Sequence, residues 1–229
     1  MDGGYDRDAV RKKLDAFLLS CNPTASPVRW ESCINNAFKH ALRQPAVDVG
    51  EITISQKEME TIRGLDGKQI QRVAFTLLCL AKFWNAYSPK NDSWVRTPDN
   101  EIMRLANVKT SVKRQCSMFR DLRDCGMLAF SKRVDNTNVR VNFIADDDVN
   151  AMIVDDFRNL GYQYLMYLGE PYFKCTRCGI VSRLDNPNKG RKQKYCHECA
   201  IKVKAEQDVN AAMKRRTRND RKNDPAKTT

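Results

Sequence analysis

The chain has 229 residues and carries 40 lysines and arginines against 28 aspartates and glutamates, a formal net charge of +12. No run of about 18 apolar residues occurs, which excludes a membrane-spanning helix, and 41% hydrophobic with 30% charged residues excludes a disordered chain. The N-terminal stretch is mixed in charge without an apolar h-region, so no secretory leader is expected, and the positive balance points to a polyanionic partner, most often nucleic acid.

Residues 1–65 read as a helical N-terminal region. Val10, Leu14, Phe17 and Leu18 recur at i, i+4, i+7, i+8, one face of a helix. Ser26-Pro27 opens a second helix with proline at its first position. Cys33, Ile34, Phe38 and Ala41 form its apolar face, and Pro45 lies past its end. Ser55 and Glu58 have the spacing of a capping box. This region reads as a scaffold or a partner-binding face.

Residues 66–146 have a more definite order. Asp66 is placed to cap a long helix through about Tyr87 that is apolar nearly all round in its middle, hence buried. An extended piece at Ser93–Arg96 follows, then a helix from Thr97-Pro98 to Ala106 and a tight connection at Asn107–Lys109. A third helix spans about Thr110 to Cys125, and Gly126 ends it. Residues 127–134 and 139–144 read as strands around a turn at Asp135–Asn138.

Helix, short strand, helix, turn, helix and hairpin is the order of a winged helix, whose third helix enters the major groove. Phe119, Leu122, Cys125 and Met127 are expected to face the core. Thr110, Lys113, Arg114 and Ser117 then lie on the opposite face and supply the donors that phosphates and bases require. The wing offers Lys132, Arg133, Asn136, Asn138 and Arg140. A winged helix that binds protein, with these cations merely solvated, is the competing reading.

Residues 147–170 read as a connector. It has an acidic run at Asp146–Asp148, a short helix around Asp155–Leu160 ending at Gly161, and a strand through Tyr162, Tyr164, Leu165 and Tyr167. Trp94 and these tyrosines fit buried packing better than base stacking.

Residues 171–213 carry the strongest motif. Cys175 and Cys178 form one Cys-x-x-Cys pair, Cys196 and Cys199 another, with 17 residues between the pairs. Each such turn aims two thiolates at one point, and two turns make tetrahedral sulfur ligation, for which one structural Zn²⁺ is the expected ion. Iron is the chemical alternative. Four thiolates close the coordination sphere, so His197 is expected at the surface and the metal is not catalytic. Strand, knuckle, strand, loop and a second knuckle opening a helix resembles a treble clef; a ribbon would continue in a strand. The fold class is therefore α+β: N-terminal helices, a winged helix-turn-helix, and a treble-clef or ribbon-like four-cysteine zinc module.

The other five cysteines (Cys21, Cys33, Cys79, Cys116 and Cys125) sit in apolar helical patterns and are expected in the core of a protein from a reducing compartment. The loop around the metal adds Lys189, Arg191, Lys192 and Lys194. The tail, residues 214–229, adds Lys214, Arg215, Arg216 and Arg218. Phosphate contact is the use these cations fit, against a merely solubilising tail.

Several stretches together resemble proteins encoded by temperate phages and mobile elements of low-GC Gram-positive bacteria. They are Phe75–Lys82, Trp94-Val95, Phe130–Asn136, Asp156–Gly161 and Gly169–Cys199, within about residues 50–205 by pattern likeness. The resemblance implies action in a bacterial host cytoplasm and lends no catalytic residues. No phosphate-binding glycine loop or nucleophile elbow occurs, and His40 and His197 are the only histidines, so an enzyme is not expected. The expected function is nucleic-acid binding, on duplex DNA, by a transcription regulator or replication accessory. The alternative is an anti-CRISPR-like inhibitor that binds a host machine such as a guide-RNA complex or polymerase.

Overall fold

A computed structural model of the chain describes residues 6–21, 24, 26–43, 49–132, 138–145, 149–185 and 193–222. The chain divides into two compact units, Met1–Asp48 and Val49–Thr229.

The first unit holds α1 (Arg7–Cys21), a 3-10 turn (Pro27–Trp30) and α2 (Glu31–Arg43). Pro27 opens the 3-10 turn, not the α-helix, and the Ser26 side chain caps nothing. Arg11 joins the helices. Its guanidinium donates to both Glu31 oxygens, at 3.0 and 2.6 Å, and to Asp15 in its own helix. These bonds hold the Glu31 carboxyl below its usual range. Two helices are too few to bury an apolar face: Val10, Leu18, Ile34 and Phe38 are half-buried, whereas Phe17 is 66% exposed.

The second unit is built on α4. It begins with β1 (Ile52–Ser55), α3 (Gln56–Arg63) and α4 (Lys68–Tyr87). The capping box forms as expected, with Ser55 accepting from the Glu58 N–H and the Glu58 side chain accepting from the Ser55 N–H. Gly67, at φ 96°, takes the N-cap position of α4 expected for Asp66. Val73 to Ala81 are buried without a break, because elements pack on α4 from every side. Glu58 is also fully buried, and its charge is met by Lys82 Nζ at 2.8 Å and the Ala145 N–H at 3.1 Å. A buried carboxylate is tolerated only with such partners.

Then come β2 (Trp94–Val95), α5 (Asp99–Leu105), α6 (Val112–Asp124), β3 (Leu128–Phe130) and β4 (Val139–Val141). The three strands make an antiparallel sheet in the order β2-β4-β3, with Trp94 opposite Arg140 and Leu128 opposite Val141. Ser111 caps α6, and Gly126 follows it at φ 74°.

The segment expected as a connector instead contributes β5 (Asn150–Val154), which pairs antiparallel with β1, and α7 (Leu160–Tyr167). The expected helix at 155–160 and strand at 162–167 are both corrected. Asn159 stands in the left-handed region, φ 48°, and the helix starts after it. Leu160 and Tyr164 share a face at helical spacing. Tyr164 is buried with its ring 5.3 Å from Phe75 and its hydroxyl donating to Gln71. Packing on α4 thus overrides the extended preference of a tyrosine-rich stretch. The hairpin β6 (Tyr172–Lys174) and β7 (Val181–Arg183) and the long α8 (His197–Lys222) complete the chain. Small sheets among many helices make the class α+β, and no helix among the described residues is long and apolar enough to cross a membrane.

Of the isolated cysteines whose side chains are described, only Cys79 is buried, and burial pushes its thiol far up. Cys33, Cys116 and Cys125 are exposed, against expectation. Cys116 lies off the buried line of α6, and Cys125 is its C-terminal cap. The Cys21 and Ala41 side chains, Pro45 and residues 146–148 lie outside the described residues.

Candidate metal centre and nucleic-acid interface

The hairpin β6–β7 presents Cys175 and Cys178 in its turn. Gly179, at φ 76°, permits that turn, closed by Gly179 N–H to Cys175 O and Cys175 N–H to Ile180 O, both 2.9 Å. Cys196 stands just before α8 and Cys199 in its first turn. The loop reaches back through Thr176 N–H to Lys194 O at 2.9 Å. Arg177 forms a two-pronged pair with Glu206, at 3.0 and 2.7 Å, which fastens the knuckle to α8.

The four sulfurs lie within 4.8 Å of one another. A zinc tetrahedron with bonds of about 2.3 Å has sulfur edges of about 3.8 Å, and Cys178 Sγ stands 3.7 Å from Cys196 Sγ. The donor set therefore fits a metal ion such as zinc. Burial raises the Cys175 thiol, but the backbone N–H groups of Cys196, Cys178 and Arg177 outweigh it and bring it to about 6. Burial and the other thiols push Cys199 up to about 12. Four thiolates this close would need a cation between them, which is the state a bound metal would create. His197 is exposed and stands outside the cluster.

On α6, Met118, Phe119 and Leu122 face the core. The outermost line is Lys113, Ser117, Arg120 and Asp124, at i, i+4, i+7 and i+11. Lys113 and Arg114 are exposed, and neither makes an ion pair with a described residue. Thr110 is half-buried, with its carbonyl accepting from Gln115; Ser117 is half-buried, 3.5 Å from Asp121. Arg120 is exposed on the same line, one turn beyond the residues that the sequence singled out. Carrying the helical spacing that turn further finds it.

Lys132 is exposed. Asn138 lines a cleft of about 310 Å³ with Asp99, Cys116, Arg120 and Phe130. Arg140 is committed elsewhere, pairing with Asp92 at 2.8 Å. Arg133, Asn136, Lys189, Arg191 and Lys192 lie outside the described residues. Lys194 is exposed beside the cysteine cluster, its carbonyl accepting from Thr176. Lys214, Arg215 and Arg216 are exposed on α8, which continues through the segment expected as a tail; the Arg218 side chain is outside the described residues. Two asparagines that the sequence did not single out as site residues, Asn107 and Asn159, join the α5–α6 turn to the cysteine hairpin.

Comparison with protein-family models, curated proteins and solved structures finds no match.

Proposed function

We propose that the chain binds nucleic acid, duplex DNA foremost, with residues 66–146 acting as a winged helix and the C-terminal module as a treble-clef or ribbon-like fold around one structural Zn²⁺. The exposed cationic face of α6 carries the reading: Lys113, Arg114 and Arg120 point away from the core and none pairs with a carboxylate among the described residues. Such cations reach phosphates and guanine edges when the helix lies in a major groove. The sheet order β2-β4-β3 supports the same reading, because a wing beside the helix is where that hairpin would meet the backbone. The role is binding, in a bacterial cytoplasm, as a phage-type regulator or replication accessory.

Removing charge at Lys113 and Arg114 together tests it. Duplex affinity should fall and the salt dependence should flatten by about two in log–log slope, near 0.9 per lost phosphate contact. Exposed positions leave the melting temperature within a few degrees. Absence of duplex binding by the full chain at low salt would refute the reading. It would favour an inhibitor of a host protein–nucleic acid machine, a reading that the exposed Phe17, Val28 and Trp30 of the first unit also support.

A further inference from the structure

We propose that Asn107 and Asn159 are positioning residues through which the metal-bearing hairpin sets the entry of α6. Groove binding by α6, a role that rests on the nucleic-acid reading, then depends on a metal that touches no nucleic acid.

Asn107 lies in the turn between α5 and α6, at φ 55°. Its side chain uses both ends. Oδ1 accepts from the Tyr162 N–H at 3.1 Å, and Nδ2 donates to Asn159 Oδ1 at 3.0 Å. Asn159 lies just before α7, and its Nδ2 donates to Val181 O at 3.0 Å, in the strand that leaves the first cysteine knuckle. The neighbouring Arg158 donates to Cys178 O at 2.7 Å, the carbonyl of a cysteine in the cluster. On the other side Arg72 of α4 donates to Asn107 O at 3.1 Å. Gly161 packs so closely on Ala106 that no side chain fits between. An unbroken path of hydrogen bonds therefore runs from the knuckle, through two asparagines, to the turn that aims α6.

Both asparagines occupy left-handed backbone, which asparagine tolerates and which a turn of this kind needs. Each carboxamide has one acceptor and two donors, so a single side chain joins two elements. The hairpin itself is short, three residues on each strand. Two such strands are marginal alone; a metal would tie their turn to the start of α8, and without it the hairpin keeps only its own bonds and its packing on α7, so Val181 O is held less firmly. Asn159 then has a less fixed acceptor, and the turn relies on its contacts to α4 and α7.

Hydrogen exchange on the full chain reads this without any nucleic acid. In the zinc-loaded protein, chelation is expected to speed amide exchange at Asn107 and Val108, whose N–H groups bond to Arg104 O and Met103 O, about tenfold, the factor for the net worth of one or two hydrogen bonds. Amides of α4 should keep their protection. Asn159→Gly keeps the left-handed backbone free of strain and removes the side chain. It should show the faster turn exchange with zinc still bound, and chelation should add little more. Asn159→Asp keeps the acceptor for Asn107 but cannot donate to Val181, and should behave like the glycine variant. Chelation that leaves the turn unchanged while residues 175–181 exchange freely overturns the proposal. So does an equal rise throughout α4, which would mean global unfolding. Duplex binding, measured with and without chelator, is the second arm. If the turn responds and no duplex binds under either condition, the coupling stands and the nucleic-acid reading falls. If duplex binds equally with and without metal, metal-dependent binding is refuted.

Discussion

Replacing Gly161 by alanine would place a methyl carbon inside the van der Waals radii of the Ala106 carbonyl oxygen and carbon, 3.0 Å from the Ala106 Cα. The obstacle is backbone in the α5–α6 turn, not the end of a flexible side chain. Relief requires α7 and that turn to move apart. Both are anchored: α7 by Tyr164 against Phe75, the turn by Arg72 and Asn107. Overpacking of this sort costs about 1–3 kcal/mol. At about 2–4 °C per kcal/mol for a unit of this size, the melting temperature should drop by roughly 2–12 °C. Gly64→Ala is the control. There the added carbon meets its nearest neighbour, Thr61 O, at an ordinary 3.4 Å, and the backbone is right-handed, φ −67°. Restricting the unfolded chain should make that variant neutral or more stable by about 0.4–1 kcal/mol. Thermal and urea unfolding of the zinc-loaded protein measure the two variants, the first giving the melting temperature and the second the free-energy difference. A Gly161→Ala variant as stable as the parent would refute the close packing of α7 on the turn, and with it the path from hairpin to α6.

Metal analysis of chain purified without chelator should give one equivalent of zinc. Cys178→Ser should lose stoichiometric binding, with α4 still unfolding cooperatively. Deleting residues 214–229 removes seven basic and two acidic residues, a net five positive charges. Gel shifts across salt concentrations should show affinity for cognate and random duplex falling alike, with a shallower salt slope. Burial raises the Asp156 carboxyl, but the side-chain and backbone bonds from Arg158 outweigh it and hold it below its usual range. Its contribution to stability is therefore complete above the ordinary carboxylate value of about 3.9 and is lost as pH falls through that value toward the folded one. Asp156→Asn should flatten that part of the acid limb in a melting-temperature titration.

The cysteine cluster and the second unit's central helix were legible without coordinates, for local reasons. Two Cys-x-x-Cys turns converge wherever a metal is held, and a twenty-residue helix apolar around its middle has nowhere to go but the core. The cap at Ser55, the helix end at Gly126, and the period-2 strand at Val139–Val141 also depend on neighbours within a few residues. Tertiary structure alone decided the rest. Tyr162–Tyr167 has the composition of a strand and becomes a helix because Tyr164 fills a site on α4. Residues 150–154, read as connector, pair with Ile52–Ser55, a partner about a hundred residues away that no local pattern encodes. Arg140 looked like a wing cation until the fold brought Asp92 beside it. In sequence Asn107 reads as a turn residue and Asn159 as part of a short helix; their joint role exists only because the fold sets the start of α7 between the α5–α6 turn and the cysteine hairpin. Spacing along the chain specifies which side chains share a turn or a face, whereas long-range packing decides which of them meet.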